Sequence, residues 1–161
     1  MGSFISMTGG LLMRAGRSSL LAALLAVCLN GATVVNDKAA GALLLGTHPL
    51  SLQWVTFDKT KGSVTVTDQA GVYRVKGEQK GKGTDSLSID GEVVTVNAKD
   101  FTFKGRIVTR VSYIAGGKEC VREGTFLFRI SGARQFWRMR EQANPCEEVA
   151  DYVDIFFVKT K

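Results

Sequence analysis

The sequence predicts an all-β domain behind an N-terminal signal helix. The expected architecture is a single antiparallel, mostly up-and-down barrel of about eight strands, with a two-sheet β-sandwich as the runner-up. Three observations carry this. From residue 51 on, apolar and polar residues alternate with the period of a half-buried strand, and no segment keeps helical spacing for three turns. The alternating runs are joined by turns or short loops, which makes sequence neighbours antiparallel neighbours in space. The chain also holds 18 glycines but only 2 prolines. It therefore turns often while keeping its backbone donors free for a ladder. A length of 161 residues, with 45% hydrophobic and 22% charged, describes one ordinary globular domain rather than a disordered chain.

The first element is not part of that domain. Arg14 and Arg17 precede an apolar run from Leu20 to Leu29. At roughly 1.5 Å per helical residue this run spans about half a bilayer core. It reads as the h-region of a secretory signal that takes in residues 1–32, with the cleavage point as late as Ala42 in the alternative. Leu25-Ala26-Val27-Cys28 resembles a bacterial lipobox, although Val27 stands where that motif has Gly, Ala or Ser. A lipoprotein anchored through Cys28 is therefore the alternative. Residues 33–50 are expected to be a flexible mature N-terminus, and residues 51–161 the β domain. The mature protein is expected to be periplasmic or extracellular, monomeric and without a membrane span.

The strands follow in order. Val64 and Val66 alternate with Thr65 and Thr67, and Tyr73 and Val75 alternate with Arg74 and Lys76. Asp90-Gly91 reads as a hairpin turn between two short runs. From Phe101 to Tyr113 the odd positions are largely apolar and the even ones largely polar. Gly105, in the middle of this long run, marks a bulge or bend. Cys120, Gly124, Phe126, Phe128 and Ile130 share the next apolar face, on which Arg122 is the polar exception. Arg134 to Cys146 reads as a late strand closed by Asn144-Pro145, with either Phe136 or Trp137 facing inward. Val153, Ile155 and Phe157 form the last apolar face.

Cysteine usage agrees with export. Without Cys28, an even pair remains, Cys120 and Cys146, and in an oxidising compartment the two are expected to bond. Two cysteines and one histidine do not make a closed four-ligand zinc site, so no metal or other cofactor is expected. Losing Arg14 and Arg17 lowers the net charge from +6 to +4, a mild balance that favours anionic partners weakly.

Trp54 on the opening strand and Arg138 near the closing one are similar to a pairing found in lipocalin-like, or calycin, barrels. In those barrels an arginine from a late strand covers a tryptophan on the first. The lipocalin G-x-W motif is absent, since Leu52 and Gln53 precede Trp54. The resemblance implies topology and a closing pair, Trp54 and Arg138, and no binding residues.

Catalytic residues are not expected. His48, the single histidine, sits in Gly46-Thr47-His48-Pro49-Leu50 and reads as a solvated loop residue near the N-terminus. No nucleophile-elbow, zinc-protease or phosphate-loop motif is present. Asp151 and Asp154 have opposite strand parity and read as surface carboxylates. Arg134 to Arg140, with their interleaved aromatics, are the material of a nucleic-acid groove. The signal and the mild charge argue against that, and no nucleic acid is expected. Two function classes remain. One is a binding module for a small apolar ligand inside the barrel, lined by Phe101, Phe103, Tyr113, Phe126, Phe128 and Trp137. The other is a surface-binding or inhibitor protein with a filled core, reaching a protein or anionic glycan through Glu78 to Gly83 or the arginine face. The presence of an interior cavity separates them.

Overall fold

A strand with one apolar face must cover that face, and a closed barrel covers every strand with the same interior. In a computed structural model, which describes Gly2, residues 31–56 and residues 60–158, the chain adopts this solution. Its elements are β1 (Val34–Val35), α1 (Lys38–Leu44), β2 (Gly46–Leu52), β3 (Gly62–Gln69), β4 (Val72–Lys80) and β5 (Ser86–Val96). They continue with β6 (Asp100–Arg110), a 3-10 turn at Ala115–Gly117, β7 (Glu119–Arg129), β8 (Phe136–Met139) and β9 (Val153–Phe156). From β2 to β9 each strand pairs antiparallel with the next, and β9 pairs back onto β2. The result is a closed up-and-down barrel of eight strands, so the sandwich alternative falls. The extra strand β1 runs parallel to β5, placing Val34 beside Thr95 and Val35 beside Val96.

The barrel begins earlier than the alternation shows. Its first strand starts at Gly46, and residues 34–44 carry β1 and α1, so this stretch is ordered rather than a flexible lead-in. Asp37 caps α1 by accepting from Ala40 N at 2.8 Å. The helix carries Leu44, fully buried, against the core. His48 is not a loop residue either. It lies on β2, 2% exposed, among the inward side chains. The expected signal segment, Cys28 included, lies outside the described residues except for Gly2, Gly31 and Ala32.

The interior is filled. Phe101 stacks on Phe128 at 5.0 Å between centroids, and Trp137 meets Phe101 edge-on at 5.7 Å. Phe103 and Phe126 join them, so five of the six expected lining aromatics pack on one another. Tyr113 is the correction. It is 52% exposed, because β6 has ended at Arg110 and the chain has already left the barrel wall. Where a void lies among buried side chains, between Leu52, Thr109, Cys120 and Asp151, it measures about 10 Å³. This is far below the size of an organic ligand.

Glycine placement explains both the packing and two misread signals. Gly91, Gly105 and Gly124 are cross-strand partners on β5, β6 and β7. They share the inward parity of Phe103 and Phe126. A Cβ on Gly105 would meet Asp90 O at 2.3 Å and Phe103 Cζ at 2.6 Å; one on Gly91 would meet Phe103 Cε2 at 2.7 Å. Gly91 and Gly105 therefore make the room that the Phe103 ring fills. Asp90-Gly91 is not a hairpin turn but the middle of one unbroken strand, because Gly91 answers to its neighbour on β6. The bulge falls not at Gly105 but at Val94, skipped between Val93 and Thr95 in the register and 39% exposed.

Strand direction sorts the connections. Segments 53–56, 60–61, 81–85, 111–118 and 140–152 gather at one end, and the shorter turns 70–71, 97–99 and 130–135 gather at the other, where α1 enters β2. Overpacking at the glycine row supplies a test of this wall. Gly105→Ala should lose about 1–3 kcal/mol in urea unfolding. Gly132→Ala, with open space around its Cβ but a φ of +60°, should lose about 1–2 kcal/mol from backbone strain alone.

Candidate functional site

The loop end carries the candidate site, and loop 140–152 shapes it. Arg140 to Tyr152 is not the tail of a strand, since β8 stops at Met139. It folds back on itself. Asn144 N donates to Val149 O at 2.9 Å and Asp151 N to Gln142 O at 2.7 Å. The Asn144 side-chain oxygen accepts from Cys146 N at 2.8 Å and Glu147 N at 3.2 Å. Three ties hold this loop down. Cys146 is disulfide-bonded to Cys120 at the start of β7, with a Cα separation of 6.0 Å. Ala150 O accepts from Gln53 Nε2 at 2.6 Å and from Trp54 Nε1 at 3.1 Å. Glu147 accepts from Ala115 N.

The fourth tie is a buried ion pair. Arg122 points into the barrel and donates to Asp151 Oδ2 at 2.5 Å and Glu141 O at 2.6 Å. Asn144 Nδ2 donates to the same carboxylate oxygen at 3.0 Å. Asp151 is 1% exposed, so the expectation of a surface carboxylate is overturned by the presence of an inward cation to receive it. Burial pushes the Asp151 carboxyl above the usual 3.8, while Arg122 and Asn144 pull the other way. The sequence carried one signal for this pair: Arg122 breaks an otherwise apolar face, and a buried arginine needs a partner.

Asp154 is also buried, but on the outer wall. Arg138 clasps it through two hydrogen bonds of 2.7 Å, a bidentate arrangement. The Arg138 guanidinium also lies over the Tyr152 ring at 4.3 Å and the Phe136 ring at 5.3 Å. The expected closing pair is therefore not made. Arg138 serves β9 from outside the barrel, while Trp54 stands beyond β2 at the loop end. The question at this strand is settled by burial, with Trp137 facing in and Phe136 half-exposed on the outer face. His48 is held against backbone at both ring nitrogens. Its Nδ1 lies 3.1 Å from Phe156 O and its Nε2 2.9 Å from Leu44 O, both backbone carbonyls.

Beside the pinned loop, the loop end opens into a cleft of about 920 Å³. Trp54, Val55, Thr56 and Thr60, from the connection between β2 and β3, line one side of it. Lys80 to Asp85 supply a second side, and Ser112 and Tyr113 the third. This floor is built on internal bonds. Gln79, inward and buried, accepts from Leu52 N at 2.7 Å and donates to Thr56 Oγ1 at 3.2 Å. Asp85 is 7% exposed and accepts from Ser112 N at 2.7 Å and Ser112 Oγ at 3.4 Å. Tyr113 Oη donates to Trp54 O at 2.5 Å. Burial first, and the Asp85 carboxylate second, push its phenol above the usual 10.0, so it remains a donor at neutral pH. Of the residues singled out from sequence, Trp54, Tyr113 and part of the Glu78 to Gly83 loop meet here. Asp85 and Ser112 were not foreseen, nor was the inward placement of Gln79 within that stretch.

Residues 32–157 match the PM1083 family. The chain belongs to that family. It is similar to Uncharacterized protein PM1083 of Pasteurella multocida (strain Pm70), with 40% identity over 114 residues, covering 71% of this chain and 73% of that one. No solved structure matches. The family match takes in every strand of the barrel, the pinned loop and the whole cleft.

The buried pair supplies a prediction with a pH sign. Arg122→Met leaves the Asp151 carboxylate buried without its cation, which should cost about 3–5 kcal/mol at neutral pH. In that variant the folded pKa of Asp151 lies further above its unfolded value. Stability linked to the protonated carboxyl is then full below the unfolded pKa and is lost as pH rises through the folded one. Urea unfolding should therefore show the gap from wild type narrowing as pH is lowered from neutral toward the carboxylate range. A gap unchanged with pH would contradict the assignment.

Proposed function

We propose that this PM1083-family protein is an exported, non-enzymatic binding module that holds its ligand at the loop end of a filled barrel. The observation that carries the reading is the pairing of a packed interior with an open cleft of about 920 Å³, a volume within the usual range for ligand sites. The interior aromatics are core, which removes the reading of an apolar ligand deep within the barrel. The Cys120–Cys146 bond is compatible with an oxidising compartment and so supports export. His48, with both ring nitrogens against backbone carbonyls, supports a non-catalytic role.

The cleft favours a small ligand over a broad protein partner, because it is concave and its walls come from three separate loops. Its residues also rest on rigid strand ends: Thr56 on Gln79 of β4, and Ser112 on Asp85 at the head of β5. Pre-ordered walls of this kind lower the ordering cost of binding.

Amide chemical-shift mapping with a mixture of small organic fragments tests the site. Shifts should gather at Val55, residues 81–85, Ser112 and Tyr113. Hits confined to the outer wall of β8 and β9, or none at the loop end, would overturn the proposal.

A further inference from the structure

We infer that the outer edge of β7, from Val121 to Thr125, is a strand-addition site. Its occupant is an extended peptide of a partner protein, with a cation two positions before an aliphatic residue. The site lies apart from the cleft, which none of these residues lines. It arises from uneven pairing. β7 is paired with β6 along its whole length, from Glu119 to Arg129. On its other side the ladder with β8 holds only Phe128 and Arg129, and Arg140 N adds one bond to Leu127 O at 2.8 Å. There the following chain leaves the ladder. Leu127 N donates to the Glu141 carboxylate at 3.0 Å rather than to a carbonyl, and Glu141 O accepts from inward Arg122 at 2.6 Å. Leu127 O points away from β6 to reach Arg140, and strand parity turns Val121, Glu123 and Thr125 the same way. On that side the backbone groups of these three have no partner among the described residues. Each offers one N–H and one C=O to an added strand. Solvent reaches them: Val121 is 41% exposed, Glu123, Gly124 and Thr125 are exposed, and a Cβ on Gly124 would meet nothing within 4 Å.

The outer wall supplies the chemistry of the occupant. Along one cross-strand row the charges alternate: Lys76 on β4, Asp90 on β5, Arg106 on β6 and Glu123 on β7. The next position in that row lies on the added strand. A Lys or Arg there continues the alternation, because opposite charges stabilise a cross-strand pair and like charges destabilise it. A second row ends at the same edge with Val108 beside Val121. An aliphatic residue on the added strand covers the exposed Val121. In antiparallel addition the residue opposite Glu123 comes two positions before the residue opposite Val121, which sets the order cation, then aliphatic. The charge row also argues against a second copy of this chain, since pairing two β7 edges about Glu123 sets two carboxylates face to face. In strand addition the main chain supplies affinity and alternate side chains supply specificity.

The test titrates the oxidised protein with the end-capped peptide Gly-Thr-Thr-Lys-Thr-Val-Gly and follows amide shifts. Shifts should gather at Val121 to Thr125 and leave residues 81–85 in place. Methylating the peptide's Lys nitrogen, whose N–H faces Glu123, should abolish binding. Methylating the nitrogen of the Thr after it, whose N–H points away, should weaken binding by less than about threefold. Glu123→Lys should weaken binding at least about tenfold, and a peptide with Glu in place of Lys should recover it. Lys82→Gln, in the cleft, should change it by less than about twofold. Equal binding of the two methylated peptides would reduce the contact to side-chain attraction and overturn strand addition. Shifts confined to the cleft, or none, would overturn the site. Shifts of the same β7 amides with protein concentration alone would make the occupant a second copy and overturn the partner assignment.

Discussion

The barrel depends on one short strand. Val153–Phe156 pairs with Leu50, Ser51 and Leu52 on one side and with Phe136, Trp137 and Arg138 on the other. Everything from β3 to β7 is a sheet of long strands whose ladders hold without it. β9, reaching β7 through the equally short β8, turns that sheet into a barrel and closes the two edges that would otherwise face water along their whole length. Val153 and Ile155 complete the dry interior, and Asp154 faces out to Arg138. Closure thus rests on few ladder bonds, and the chain reinforces it from both faces. Arg138 clasps it outside, and Arg122 and Asp151 hold its approach inside.

The loop before β9 links this closure to the cleft. Residues 140–152 are tied to β7 by the disulfide and by Arg122, and to the segment after β2 by Gln53 and Trp54. A bridge spanning 26 residues of sequence stabilises by about 3 kcal/mol in the chain-entropy account. Here it also fixes where β9 begins. Trp54 belongs to both systems, donating to Ala150 O in the pinned loop while lining the cleft. The cleft is therefore bounded by the same contacts that close the barrel. This is how loops can present a rigid concave surface.

Much of this was legible in the sequence because alternation is a local signal. The run from Phe101 to Tyr113 gave β6 its facing, and Cys120 and Cys146 gave the bridge. The limits were non-local. Asp90-Gly91 looks like a turn until Gly91 meets Gly105 across the sheet and Phe103 fills the space both leave. His48 looks exposed beside the N-terminus until α1 and β9 each bring a carbonyl to its ring. Asp151 and Asp154 look like solubilising charges until inward Arg122 and outward Arg138 take one each. Trp54 and Arg138 invited pairing because each sits near one side of the closure, yet the nearer carboxylate won the arginine. The Lys80 to Gly83 part of the cleft was visible as a glycine- and lysine-rich loop. Asp85 and Gln79, which hold its shape, were hidden because their partners lie far away in sequence.

Native-state hydrogen exchange measures the central dependence directly. The comparison is wild type against the Cys120→Ser, Cys146→Ser double variant. If the pinned loop secures the closure, protection should fall first and most at the amides of β9 and its partners in β2 and β8, with the β4–β6 ladders keeping nearly full protection. A uniform loss across all eight barrel strands, or no loss at β9, would contradict the account.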